Sequence, residues 1–192
     1  MNYRKIAILL LCFSQLAMLM CKSDGSNTGI GNLLNASKTG SSFSRETFLK
    51  ATESSHGGTA IDSNVLKDAL PKTVNGLNRV SISSHNADYQ GTIISNSTAI
   101  YNKDDKTLKA YIIDLGNSNK AIPDYAPWTK IQYENIRADG YEKSKEEEGN
   151  KFFEKFDSTT HESTLIVIYN QRIVLSLSSK ELSIGELHLL TK

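Results

Sequence analysis

Residues 164–169 and 172–178 are two strand-like runs separated by only Asn170 and Gln171. A two-residue connection forces the runs to pair antiparallel, because a parallel pair needs a crossover of a dozen residues or more. The first run carries Leu165-Ile166-Val167-Ile168, apolar on both faces, and so predicts a strand in the interior of the sheet. Just upstream, 140–145 and 151–156 flank the charged turn 146–150 and predict a second pair of strands. Residues 77–83 alternate through Val80 and Ile82. Residues 91–101 and 107–115, on either side of the turn-forming 102–105, predict a further hairpin.

Helices are fewer and shorter. Residues 46–52 are weakly helical, ahead of a break at Gly57 and Gly58. Ser63 is placed to cap 65–70, with Val65, Leu66 and Ala69 as the apolar stripe and Pro71 as the stop. Trp128, Ile131 and Ile136 can line one face of a short helix starting near Asp124. Ser183-Ile184-Gly185-Glu186 matches a capping box that would start a final helix, docked by Leu187, Leu189 and Leu190. Helix, three strands, helix, four strands, helix predicts an α+β domain: an antiparallel sheet of about six or seven strands with two or three helices packed on it.

Ahead of the domain, Arg4 and Lys5 precede an uncharged apolar run, 6–20, that stops at Cys21. As a helix that run reaches about 22 Å against a hydrocarbon core of about 30 Å, so it predicts a removed signal peptide, residues 1–20, and not a span. The stretch Leu16-Ala17-Met18-Leu19-Met20-Cys21 resembles bacterial lipoprotein signals. In those, a diacylglycerol joins the cysteine thiol and the peptide is cut immediately before it. The usual small residue and leucine are replaced by Met20 and Met18, a departure that the relaxed lipoboxes of spirochaete lipoproteins tolerate. The resemblance implies lipidation at Cys21, with acyl groups such as palmitate. The alternatives are secretory cleavage after Ser23, leaving an ordinary thiol, and an uncleaved anchor. Cysteine arithmetic favours lipidation. Of the two cysteines, Cys12 leaves with the signal, so Cys21 would have no internal disulfide partner. Two or three acyl chains make a durable anchor where one binds only reversibly.

Residues 21–45 are rich in Ser, Gly, Asn, Thr and Lys and read as the lipidated cysteine and a flexible tether, with a root-mean-square reach of about 25–30 Å. Residues 46–62 read as a weakly ordered lead-in, and 63–192 as the folded domain. Of 22 basic and 21 acidic residues, only Arg4 and Lys5 lie in the signal, which leaves a formal balance of −1. That excludes a global basic field for nucleic acid, so no nucleic-acid partner is expected. Lys22 after the cysteine differs from the Asp that retains enteric lipoproteins in the inner membrane. The expected location is therefore the cell envelope, lipid-anchored at the outer membrane, with the periplasmic and surface faces both open.

Chemistry-bearing motifs are sparse. His56, His85, His161 and His188 share no close spacing, and no zinc motif is present, so no metal or other cofactor is expected. No G-x-S-x-G occurs, and Gly29-Ile30-Gly31 lacks both a third glycine and a preceding strand. Glu146, Glu147 and Glu148 read as a solvated turn that guards a strand edge, and Asp114-Leu115-Gly116 and Asp139-Gly140 as strand-end turns. Tyr125, Trp128 and Tyr133 form the one suggestive set, amphipathic aromatics near Pro123 and Pro127, and are the candidate ligand or partner contacts. The alternative is that Trp128 plugs the core.

The order of elements resembles PsbP-like sandwiches in layout. At a second level, Asp114-Leu115-Gly116, Asp139-Gly140-Tyr141, Glu154-Lys155-Phe156 and the stretch from Val167 through Arg172 to Val174 look similar to a group of uncharacterised bacterial lipoproteins. That group carries no activity across. The function expected is a non-catalytic binding or structural role at the membrane surface, with an unknown envelope protein or small ligand as partner. Two other classes stand beside it. A surface-exposed adhesin would be open to protease shaving of intact cells, and an exported enzyme with a dispersed active site would need a cleft of converging ionisable groups.

Overall fold

The structure, a computed structural model, describes residues 42–43, 45–53, 58–89, 91–116 and 126–192. The signal, Cys21, His56 and Tyr125 lie outside them. Helix α1 is Arg45–Glu53, α2 is Ser63–Asp68 and α3 is Ile184–Leu189. The strands are β1 (Thr73–Val74), β2 (Leu77–Tyr89), β3 (Thr92–Lys103), β4 (Lys106–Asp114), β5 (Glu134–Arg137), β6 (Gly140–Glu147), β7 (Asn150–Asp157), β8 (Glu162–Tyr169) and β9 (Ile173–Ser179). They form one antiparallel sheet in the order β1-β2-β3-β4-β9-β8-β7-β6-β5. Mostly sheet with three short helices, the architecture is loosely α+β. The strand number differs from the sequence expectation: nine described strands replace six or seven.

The order means two meanders. β1–β4 runs inward from one edge, and β5–β9 runs from the opposite edge back to the centre, where β4 and β9 pair over Lys109–Asp114 and Ile173–Ser178. The chain between β4 and β5 therefore crosses five strand spacings, about 24 Å. Ala126 and Trp128 belong to this crossing.

Period-two alternation puts Leu108, Ala110 and Ile112 of β4, Leu165 and Val167 of β8 and Leu175 and Leu177 of β9 on one face, in the main core with Phe48, Leu66 and Leu187 of the helices. The opposite face carries Ile94, Ile113, Ile168 and Val174, which pack against Leu115 and Ala126, with Trp128 and Ile166 partly buried beside them. β8 is apolar on both faces and interior, as its sequence requires. Asn170 and Gln171 have φ of 49° and 52°, and with Arg172 they make a three-residue hairpin loop, since Tyr169 pairs with Ile173; the connection is one residue longer than the sequence predicts.

The core also extends before Ser63. Phe43 and Phe48 are fully buried, Phe43 edge-on to Tyr101 and Phe48 against Tyr169, so the end of the segment read as a tether and the segment read as a lead-in both contribute core side chains. Asp62, not Ser63, caps α2 by accepting from the Asn64 N–H. No helix spans Trp128 to Ile136. A 3-10 turn, Pro127–Lys130, gives way to extended chain and β5, and Ile131 and Ile136 are 61% and 75% exposed. Their helical spacing is coincidental, because pairing with β6 fixes this segment instead.

The capping box on α3 is complete: Ser183 Oγ accepts from the Glu186 N–H, and the Glu186 carboxylate accepts from the Ser183 N–H at 2.8 Å. Ser183→Ala should lower stability by about 1 kcal/mol, read as a shift in the urea midpoint at constant slope.

Candidate functional site

Three polar constellations stand out, and two of them are closed. Asp114, at the end of β4, is wholly buried, with both oxygens doubly bonded. Oδ1 accepts from Arg172 Nε at 2.7 Å and the Gly116 N–H at 2.8 Å, and Oδ2 from Arg172 Nη2 at 2.8 Å and the Ile61 N–H at 2.7 Å. Arg172 Nη2 also donates to the Thr59 carbonyl at 2.9 Å. The guanidinium fork thus ties the β4 end, the start of β9 and the segment leading into α2 together. Gly116 has φ of 57°, and a Cβ there would meet Ala60 N at 2.9 Å, so this turn needs glycine both for conformation and for space.

The second lies on the helix-covered face. Glu154 of β7 is 3% exposed, and its Oε1 lies 2.7 Å from His188 Nε2 of α3 and 3.4 Å from Lys145 Nζ, while Oε2 meets Lys143 Nζ at 3.1 Å. Burial pushes the Glu154 carboxyl up. The hydrogen bonds and charges of His188 and Lys143 outweigh it, and the net shift is downward. The hydrogen bond that Lys143 donates to the Glu154 carboxylate in turn raises Lys143. This cluster escaped sequence reading, although one signal was present: Glu154 sits in phase with Phe152 and Phe156, on the inward alternation of its strand.

The third is open. A cleft of about 360 Å³ lies between the 3-10 turn and the ends of β6 and β7, lined by Trp128, Lys130, Gln132, Ser144, Lys145 and Lys151 among others. Trp128 is half-buried and stacks on Phe153 at 5.4 Å between centroids and 25° between planes. Lys151 Nζ donates to the Thr129 carbonyl, closing the turn onto β7. Ser144 Oγ donates to the Ile131 carbonyl and accepts from the Tyr133 N–H, fixing the strand that follows the turn.

No family model, curated protein or solved structure matches the chain.

Of the aromatic candidates, the structure brings Trp128 to the cleft and turns Tyr133 away, its hydroxyl donating to Glu142 Oε2 at 3.3 Å. Glu146 lines the cleft, 3.9 Å from Lys151, while Glu148 and Gly149 form the positive-φ turn between β6 and β7. Among the described residues no three His, Cys, Asp or Glu side chains gather as a metal would require. The hydroxyls lining the cleft are both engaged with backbone, Ser144 with Ile131 and Tyr133 and Thr129 with the Ala126 carbonyl.

Proposed function

We propose that this chain is a bacterial cell-envelope lipoprotein, tethered through acyl groups on Cys21, whose α+β domain binds without catalysing a reaction, and that its binding site is the cleft beneath Trp128. The observation that carries the anchor is the basic start, Arg4 and Lys5, the short apolar run 6–20 and the cysteine that ends it. The segments resembling uncharacterised bacterial lipoproteins agree with it. Among the described residues no helix is long and apolar enough to cross a membrane. For the binding role, the support is the contrast between closed and open constellations: Asp114 and Glu154 have their charges matched internally, and the cleft keeps unused polar groups.

Growth with labelled palmitate should label the wild-type protein and place it in the detergent phase on partitioning. Cys21→Ala should abolish the label and move the protein to the aqueous phase, a change of order tenfold or more in the partition ratio, since burial of acyl chains contributes about 0.8 kcal/mol per CH2. An unlabelled wild type, or an alanine variant that partitions unchanged, would overturn the assignment.

A further inference from the structure

We infer that the cleft under Trp128 takes a sugar-sized ligand carrying an anionic oxygen group, a carboxylate or a phosphate. This rests on the binding role proposed above and deepens it by naming the ligand's chemistry. The inventory of polar groups carries the argument. Three lysines, Lys130, Lys145 and Lys151, line the cleft, but the Lys145 ammonium is turned to the helix-covered face, over the Phe152 ring and beside Glu154, so two ammonium groups stand there against one carboxylate, Glu146. Lys151 holds the Thr129 carbonyl and lies near Glu146, and Lys145 lies 3.3 Å from Glu147 and 3.4 Å from Glu154. Among the described residues, the Lys130 ammonium, the Gln132 side chain and the Trp128 indole N–H make no hydrogen bond or ion pair.

Two of those three groups are donors only, and Gln132 adds two N–H donors beside one carbonyl acceptor, so donors outnumber acceptors among the free groups of the cleft and the Lys130 charge calls for an anion. An ammonium offers three N–H groups, so Lys130 can bond a carboxylate or phosphate oxygen without breaking an existing contact. Beside this polar set lies the Trp128 ring, held flat by its stack on Phe153. An aromatic plane next to hydrogen-bond donors suits a ring with one apolar C–H face and a rim of oxygens, which is the surface of a sugar. The volume, about 360 Å³, falls at the low end for small-molecule sites and fits one or two such rings.

Trp128 is the only tryptophan in the chain, so its emission reports on this cleft alone. The full chain in non-ionic detergent is titrated with glucuronate, glucose 6-phosphate, glucose and inorganic phosphate. The expected result is a saturable emission change with glucuronate or glucose 6-phosphate, at least about tenfold tighter than with glucose or phosphate alone. Which anionic sugar binds distinguishes the two groups. Added salt should weaken the binding, and Lys130→Glu, a substitution at an exposed side chain outside every fold contact named above, should weaken it about tenfold or more.

Glucose binding as tightly as the anionic sugars would overturn the anionic class and leave a binding cleft. Phosphate binding as tightly would overturn the sugar, and an emission unchanged by all four probes would overturn the inference as a whole. Recovery of the bound ligand after long incubation separates this from the reading beneath it. A consumed ligand would end the non-catalytic role while keeping the ligand class, and loss of the palmitate label would end the anchor without touching these titrations.

Discussion

Asp114→Ala should destabilise the domain by about 3–5 kcal/mol, a large part of the 5–15 kcal/mol that holds a typical domain folded. The substitution removes the buried carboxylate bound by the Arg172 fork and, with it, the acceptor for the backbone N–H groups of Ile61 and Gly116. The Arg172 side chain is 18% exposed and cannot re-enter water without moving, so its charge stays largely desolvated once the Asp114 carboxylate is gone. That residual penalty, not the Coulomb attraction of the pair, sets the size of the effect. Arg172→Lys should cost less, about 1–3 kcal/mol, because an ammonium keeps the charge and loses the two-pronged geometry. Urea unfolding followed by circular dichroism reads both. An Asp114→Ala midpoint within about 1 kcal/mol of wild type, at unchanged slope, would show that this clasp is not structural.

The clasp also marks the limit of what the linear sequence discloses. Asp114 and Arg172 are 58 residues apart and meet only because β4 and β9 are neighbours, the seam between the two meanders. Local pattern reports hairpins, in which neighbours in sequence pair, and carries no signal for that seam. Where local signals are strong they decide the structure: the hairpin between β8 and β9, the doubly apolar β8 and the capping box at Ser183 are all realised. Where the chain is polar, the pattern is weak. The second half of β2, His85-Asn86-Ala87-Asp88, pairs with β3 through backbone bonds that its side chains do not advertise. β5 is four residues with its one aliphatic side chain, Ile136, facing water. Phe43 and Phe48 reach the core from a Ser- and Thr-rich context, and composition averaged over that context hides them. Within the candidate site, Trp128 was legible as an amphipathic aromatic beside prolines. Lys130, Lys145 and Lys151 were not, because a strand end, a turn and the facing strand bring them together.

Glu154→Gln should cost about 1–3 kcal/mol, less than the loss of Asp114 although both carboxylates are buried. The difference lies in what is left behind. Lys143 and Lys145 are 42% and 40% exposed in their side chains and can return to water once the carboxylate is neutral, whereas His188, at 19%, loses its closest partner under α3. The same carboxyl also sets a pH dependence with a definite sign. Burial raises it, but the His188 and Lys143 contacts prevail and hold it below the ordinary glutamate value, so the folded state binds this proton less readily than the unfolded chain does. Its contribution is therefore complete above about pH 4.3, the unfolded glutamate value, and is lost as pH falls through the lower folded value. Urea midpoints of wild type and Glu154→Gln measured from neutral pH downward should converge below about pH 4. Midpoints that stay equally far apart at pH 3 would mean that the charge on Glu154 does not hold α3 to the sheet.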